Sequence, residues 1–293
     1  RDYTQPIAAR PVRGEQRFTV LIPGEGWQLV SEGHQFTEGP AVNEAGEVFF
    51  TDLRTSQIFK VGLDGKVSLF ASDTGAANGL TFDADGRLYA CATGRKQIVA
   101  YDPDGSREVI LEDVNSNDAV AMQEGGYFTD PTNQRVYHVN NEGQARIVDE
   151  GIARPNGIAL SPDRTLLYVA DTRGQFVYSF QAQPDGSLKF KQPFFHLHLP
   201  HGKTDSGADG MAVDTDGRLY VATHMGVQVC DQPGRVNLII SKPQNAWLSN
   251  VKFGGRELSE LYATCGDKVF KRKLNAKGVI AWRDPIKPPK PGL

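Results

Sequence analysis

Hydrophobic positions in this 293-residue chain fall into short β-branched and aromatic runs separated by Gly, Asp and Asn turns. Val48-Phe49-Phe50, Leu88-Tyr89-Ala90, Tyr127-Phe128, Leu166-Leu167-Tyr168-Val169, Leu219-Tyr220-Val221 and Leu261-Tyr262-Ala263 each suit one short strand. Each is preceded by another apolar run, opened by Glu38, Asn78, Asn117, Asn156, Asp209 or Asn250. In five of these anchors the next residue is Gly or Asp. The anchors recur roughly every 40 residues, the length of one propeller blade, with one longer step before Asp209. At a constant offset after four of them stand Gly46, Gly86, Gly125 and Gly217. In Asn43-Glu44-Ala45-Gly46, Asp83-Ala84-Asp85-Gly86 and Asp214-Thr215-Asp216-Gly217 the glycine supplies the positive φ of a tight hairpin. A third strand such as Gln57-Ile58-Phe59-Lys60-Val61 follows, then a turn such as Asp64-Gly65 and an outer strand such as Lys66-Val67-Ser68-Leu69-Phe70. The pattern predicts an all-β fold, a six-bladed β-propeller with four-stranded antiparallel blades around a central channel.

The Asp-x-Asp-Gly stretches resemble the start of an EF-hand loop, but helical flanks and the Glu at the twelfth loop position are missing, so they read as hairpin turns. No Gly-His…Trp-Asp signature recurs, which sets aside the WD40 type. The propeller is expected over residues 17–284, with an extended arm at 1–16 and a Pro/Lys-rich tail at 285–293. Two segments could complete the sixth blade, residues 27–31 (Trp-Gln-Leu-Val-Ser) or Gly278-Val279-Ile280-Ala281-Trp282, and the sequence does not choose. The long step carries Phe194-Phe195-His196-Leu197-His198-Leu199-Pro200-His201-Gly202-Lys203. Alternation there suits a strand with His196 and His198 on one face, then a loop over the channel mouth bearing His201 and Lys203.

Hydrophobic content of 39% with 23% charged residues describes an ordinary globular protein. A net charge of −3 gives no basic footprint, so nucleic acid is not expected as a partner. No apolar run approaches the roughly 20 residues that span a bilayer, so no membrane partner is expected. Arg1 with no apolar leader run reads as a processed or trimmed chain, with a lean toward export. A monomer or weak homo-oligomer is expected. Cys91, Cys230 and Cys265 show no metal or redox spacing and read as small core residues.

If every anchor begins an innermost strand, all six converge at one mouth of the channel. Loops joining second to third strands should bring Asp52, Arg54, Gly94, Arg95, Asp130, Asp171, Arg173, His224 and Trp247 to the same mouth. Asp52, Asp130 and Asp171 could equally hold their own loops. Asn78 and Asn250 could cap their strands. Glu38 is harder to explain structurally, because a buried carboxylate near Asp209 is disfavoured unless a cation compensates. Two carboxylates with amide oxygens suit a hard divalent ion such as Ca²⁺, and no His or Cys stands among the anchors to make a dedicated zinc cage.

Phe36-Thr37-Glu38-Gly39-Pro40, Ser116-Asn117-Asp118, Tyr127-Phe128-Thr129-Asp130-Pro131, Pro155-Asn156-Gly157-Ile158-Ala159 and Asp209-Gly210-Met211-Ala212-Val213-Asp214 resemble motifs of the gluconolactonase/regucalcin-like sugar lactonases. The resemblance runs from about Gln35 to Lys271 and is carried by the set in order. It implies lactone hydrolysis at one divalent cation in the channel, Ca²⁺ first, with Zn²⁺, Mg²⁺ or Mn²⁺ as alternatives. By the motifs, Glu38, Asn156 and Asp209 would be metal ligands, and Asn117 would line the metal and contact substrate. This chain reads Val114-Asn115-Ser116 where some members carry an Arg that contacts sugar hydroxyls.

The expected chemistry follows from this set. A cation polarises the lactone carbonyl, and Asp209, assisted by Glu38, takes a proton from the attacking water. Asn117, Asn78, Asp130 and His224 are the expected substrate contacts. No Gly-x-Ser-x-Gly elbow is present, which weighs against a serine hydrolase. Two other readings stay open. One is an organophosphate or aryl-ester hydrolase on the same metal, favoured by an apolar mouth around Phe36, Phe195 and Trp247. The other is a non-catalytic calcium-binding or protein-binding propeller.

Overall fold

Antiparallel hairpins of short strands account for almost all regular structure in the computed structural model, which describes residues 20–291. The arm expected at residues 1–16 lies outside the described residues. Six four-stranded sheets form the blades. They are β2–β5 (Thr37–Val42, Val48–Asp52, Gln57–Val61, Val67–Ser72), β6–β9 (Ala77–Phe82, Leu88–Ala92, Gln97–Tyr101, Arg107–Leu111) and β10–β13 (Ala119–Ala121, Gly126–Asp130, Arg135–Val139, Ala145–Glu150). The others are β14–β17 (Pro155–Leu160, Leu166–Asp171, Phe176–Ala182, Leu188–His196), β18–β21 (Met211–Val213, Leu219–Thr223, Gly226–Cys230, Val236–Ile240) and β22–β24 (Leu248–Gly254, Glu260–Cys265, Lys268–Lys273) completed by β1 (Gln28–Ser31). The six-bladed propeller read from the repeat is the observed fold. Apart from one 3₁₀ turn at Thr93–Arg95, the described elements are strands, and none of the described residues form a helix long and apolar enough to cross a membrane.

The predicted hairpin glycines take the backbone that the turn requires. Gly46, Gly86, Gly125 and Gly217 have φ of +90°, +82°, +82° and +77°. In the Asp-x-Asp-Gly turns, Asp83 Oδ1 accepts from the N–H groups of Asp85 and Arg87, and Asp214 Oδ1 from those of Asp216 and Arg218. These carboxylates hold turns, and no EF-hand loop is present there.

The ring closes through the N-terminal segment. Strand β1 pairs antiparallel with β24, Gln28 opposite Lys271 and Leu29 opposite Phe270. The C-terminal run takes a different place. Gly278 bridges to Asp214, and Val279 N–H donates to the Val213 carbonyl at the far end of β18. Ile280 and Trp282 are buried against Val42, Phe82 and neighbouring residues, plugging the channel at the end opposite the mouth. Inner-strand residues and the plug line a residual cavity of about 40 Å³. Apolar clusters cement successive blades, for example Tyr220, Val229, Val251, Phe253 and Leu261 between the fifth and sixth. Phe195 is fully buried against Tyr168 and Phe194, so it forms core and does not line the mouth.

Hydroxyls stitch blade to blade near the axis. Thr51 Oγ1 donates to the Asn78 carbonyl (3.1 Å), Thr129 Oγ1 to that of Asn156 (2.7 Å), and Ser249 Oγ to that of Thr37 across the closure (2.9 Å). Backbone joins them directly where Gly79 N–H meets the Asn117 carbonyl and Gly210 N–H meets that of Ser249, both at 2.8 Å. This approach explains the Gly after the anchors. A Cβ at Gly39, Gly79 or Gly157 would collide with backbone of the next inner strand, and one at Gly210 with the Asn250 amide.

Two stability outcomes follow. Gly210→Ala should lose about 1–3 kcal/mol to overpacking, whereas Gly26→Ala, with nothing near its Cβ, should stay within about 0.5 kcal/mol. Trp282→Ala should cost about 3 kcal/mol if the tail is a true plug, measured by urea unfolding; a loss below about 1 kcal/mol would mean the tail is only laid against the ring.

Candidate active site

Each inner strand delivers its anchor through a local irregularity. The ladder slips between Glu38 and Ala41, between Ala77 and Leu80, between Pro155 and Ile158, and between Leu248 and Asn250. In the third and fifth blades the ladder begins only after Asn117 and Asp209. A bulge releases a residue from strict in–out alternation and re-aims its side chain, so the anchors need not follow the pleat of the strands they open.

Glu38, Asn78, Asn156, Asp209 and Asn250 are all buried, and Asn117 is half-buried. Burial pushes the Glu38 carboxyl well above the usual carboxylate range, and the charges of Asp209 and Asp118 push it further. Asp209 is raised likewise, first by burial and then by Asp118. The charge of Asp209 is thus felt at Glu38. Hydrogen bonds partly offset the cost. Gly39 N–H donates to Glu38 Oε2 at 3.1 Å, and Trp247 Nε1–H to Asp209 Oδ2 at 2.7 Å. Half-buried Arg154 also favours the charged form of Asp209.

The amides complete the donor set. Asn156 donates through Nδ2 to Thr172 Oγ1 at 3.0 Å, which orients its Oδ1, and that oxygen is buried without a hydrogen-bond partner. Asn117 Oδ1 is buried and unpartnered as well. Buried acceptors without donors are rare and costly, and two of them beside two strained carboxylates form an all-oxygen set that could hold a hard divalent cation. Among the described residues, no three His, Cys, Asp or Glu side chains cluster as a metal group.

Two channel residues escaped the sequence reading. Asp118 is a third buried carboxylate, its pKa pushed up to about 6 by burial and eased by Lys252 and Asn250. Asn250 Nδ2 donates to Asp118 Oδ2 at 3.3 Å, and the same amide eases the charge of Glu38, so this anchor serves two carboxylates. Lys252 lies in the channel below, its ammonium pKa lowered by burial and supported by Asp118. Both signals stand in the repeat. Asp118 occupies the position where four blades have Gly, and Lys252 the one where the other blades have Pro40, Leu80, Ala119, Ile158 and Met211.

The mouth loops divide differently. Asp52 accepts from the backbone N–H groups of Gln35 and Phe36, and Asp171 from those of Arg154 and Arg173. Asp130 binds the N–H and the Nδ2 of Asn133 with its two oxygens. All three carboxylates hold their own loops. His224 Nε2 lies 2.8 Å from Asp205 Oδ1, and its ring meets Trp247 edge-on at 5.1 Å. His196 and His198 share one exposed face opposite buried Phe195 and Leu197, as the alternation predicts, and His196 stacks on Phe176.

Comparison with known proteins agrees with this architecture. A gluconolactonase of Zymomonas mobilis is 26% identical over 269 residues, covering 78% of this chain and 75% of its own. The lactonase drp35 of Staphylococcus haemolyticus is 29% identical over 237 residues, covering 74% and 72%. The solved structure of XC5397 from Xanthomonas campestris, described as a gluconolactonase, superposes with a TM-score of 0.76 at 27% identity, covering 87% of this chain and 91% of that one. The sequence profile of the SMP-30/Gluconolactonase/LRE-like region matches residues 36–267 and so includes every anchor. The chain belongs to the SMP-30/gluconolactonase/LRE-like family.

Proposed function

We propose that this protein is a divalent-metal-dependent lactonase that opens a sugar lactone such as a gluconolactone. The observation that carries the reading is the pairing of Glu38 and Asp209 with the unpartnered oxygens of Asn117 and Asn156 at the mouth of a gluconolactonase-family propeller. The names of the relatives as gluconolactonase and lactonase support the substrate class.

Glu38, Asn156 and Asp209 would hold the cation, with Asn117 beside them, and Ca²⁺ is the ion best matched to this oxygen set. When bound, such an ion supplies Lewis-acid polarisation of an ester carbonyl and a countercharge for its developing oxyanion. Asp209 accepts the proton of the water that attacks the carbonyl carbon, and as the ring C–O bond breaks that proton passes to the departing ring oxygen, giving the hydroxy acid. Trp247 engages Oδ2, which leaves Oδ1 without a side-chain donor. Glu38 is held by the Gly39 N–H. Asn117 and Asn78 would orient the ring hydroxyls. The aryl-ester alternative loses a wall of its apolar mouth with the burial of Phe195.

Acid release from glucono-δ-lactone, other sugar lactones and alkyl lactones, followed in a pH-stat, tests the reading. Turnover is expected in Ca²⁺, to vanish with chelator and to return on adding divalent ion. No turnover on any lactone with metal present would overturn it. Asp209→Ala should lower kcat by about 10²–10⁴-fold, the usual contribution of a general base, with an unchanged far-UV spectrum. Full turnover in that variant would remove Asp209 from the chemistry.

A further inference from the structure

The long step between the fourth and fifth blades is unexplained by the propeller repeat and unused by the chemistry above. Its chain leaves β17 on the mouth side, and its last residues are tied firmly to both neighbours. Ser206 N–H and Oγ–H both donate to the Gly174 carbonyl, at 2.9 and 3.0 Å. The Ser206 carbonyl accepts the His224 N–H at 2.9 Å. Gly207, at φ +59°, backs the imidazole so closely that a Cβ would lie 2.5 Å from His224 Cε1. Asp205 then reaches His224 Nε2 at 2.8 Å.

This clamp ends on the active carboxylate. The His224 ring packs edge-on against Trp247, with centroids 5.1 Å apart and planes at 84°. Trp247 is 37% exposed, so its indole needs a lateral brace to keep one orientation at the mouth. An indole has one donor and no acceptor, and Trp247 directs that donor at Asp209 Oδ2 over 2.7 Å. A charge-assisted bond of this length sets the plane of the carboxylate as well as stabilising it.

We propose that Asp205, His224 and Trp247 form a positioning relay for Asp209, and that the extra residues between the fourth and fifth blades serve to supply Asp205. The relay rests on the reading of Asp209 as ligand and base. His224, expected from the sequence to contact substrate, acts in this relay through Trp247. Groups that orient a metal ligand usually change metal affinity or activity by about 10–100-fold when removed, and that is the effect expected here.

The test reads the indole N–H signals of the chain's three tryptophans by ¹H–¹⁵N correlation spectroscopy. The signal lost in Trp247→Phe should shift in Asp209→Asn, and also in His224→Ala and Asp205→Ala, with partial return in His224→Gln. Trp247→Phe should weaken calorimetric Ca²⁺ binding by about 10-fold or more. It should lower kcat for glucono-δ-lactone by a similar factor with KM much less changed, and leave the far-UV spectrum intact. An indole signal indifferent to Asp209→Asn would overturn the bond. Asp205→Ala and His224→Ala that leave this signal unmoved would overturn the relay, as would Ca²⁺ affinity within about twofold of wild type in Trp247→Phe. If wild-type protein neither binds Ca²⁺ nor opens any lactone while the linked indole shifts persist, the relay stands as geometry and the proposed function falls.

Discussion

Six inner strands meet around one axis closer than ordinary side chains permit, and the local consequences of that crowding shape the rest of the molecule. Glycines at 39, 79, 157 and 210 remove the Cβ atoms that would collide with the next blade. The stretches at Gly39, Gly79 and Gly157 slip out of ladder register, and the fifth-blade ladder begins only after Gly210, which frees the anchors from the pleat. Backbone bonds between blades and the hydroxyls of Thr51, Thr129 and Ser249 then hold the ring at that radius. A scaffold stitched at its narrowest circle can keep like charges together that a looser one would let drift apart.

The channel is therefore an electrostatic problem solved in layers. Glu38, Asp118 and Asp209 are three buried carboxylates, each disfavoured by desolvation. Lys252 and the Asn250 amide serve Asp118 from below, and Trp247 and Arg154 serve Asp209 from above. The plug built from Ile280 and Trp282 closes the far end, so small molecules are expected to approach from the mouth. In the proposed reading a divalent cation supplies the charge still missing between Glu38 and Asp209, and the unpartnered amide oxygens supply its neutral ligands.

The fold was legible because the same forty-residue sentence is written six times, and turn glycines and strand runs need no tertiary information. Glu38 and Asp209 stood out because they break a series of Asn. What the sequence hid depends on which distant segments meet. Residues 27–31 and 278–282 look alike as strands, and only the ring shows that the first pairs with β24 while the second fills the channel. Phe195 reads as a mouth residue by its place after β16, yet its side chain turns to Tyr168 and the core. Asp118 and Lys252 were visible as exceptions to the repeat, but their meaning lies in a contact across the axis. Asp205 carries no signal of its own, since one acidic residue in a long loop gains sense only beside His224.

In the proposed reading the oxygen set at the mouth is a single divalent-cation site. Elemental analysis of purified, desalted protein, with calorimetric Ca²⁺ titration of the chelator-stripped form, tests it most directly. About one ion per chain is expected in wild type, with loss of that stoichiometry in Glu38→Gln and Asp209→Asn. Wild-type protein that takes up no divalent ion, or the two variants binding it as wild type does, would rule out a cation site at the mouth.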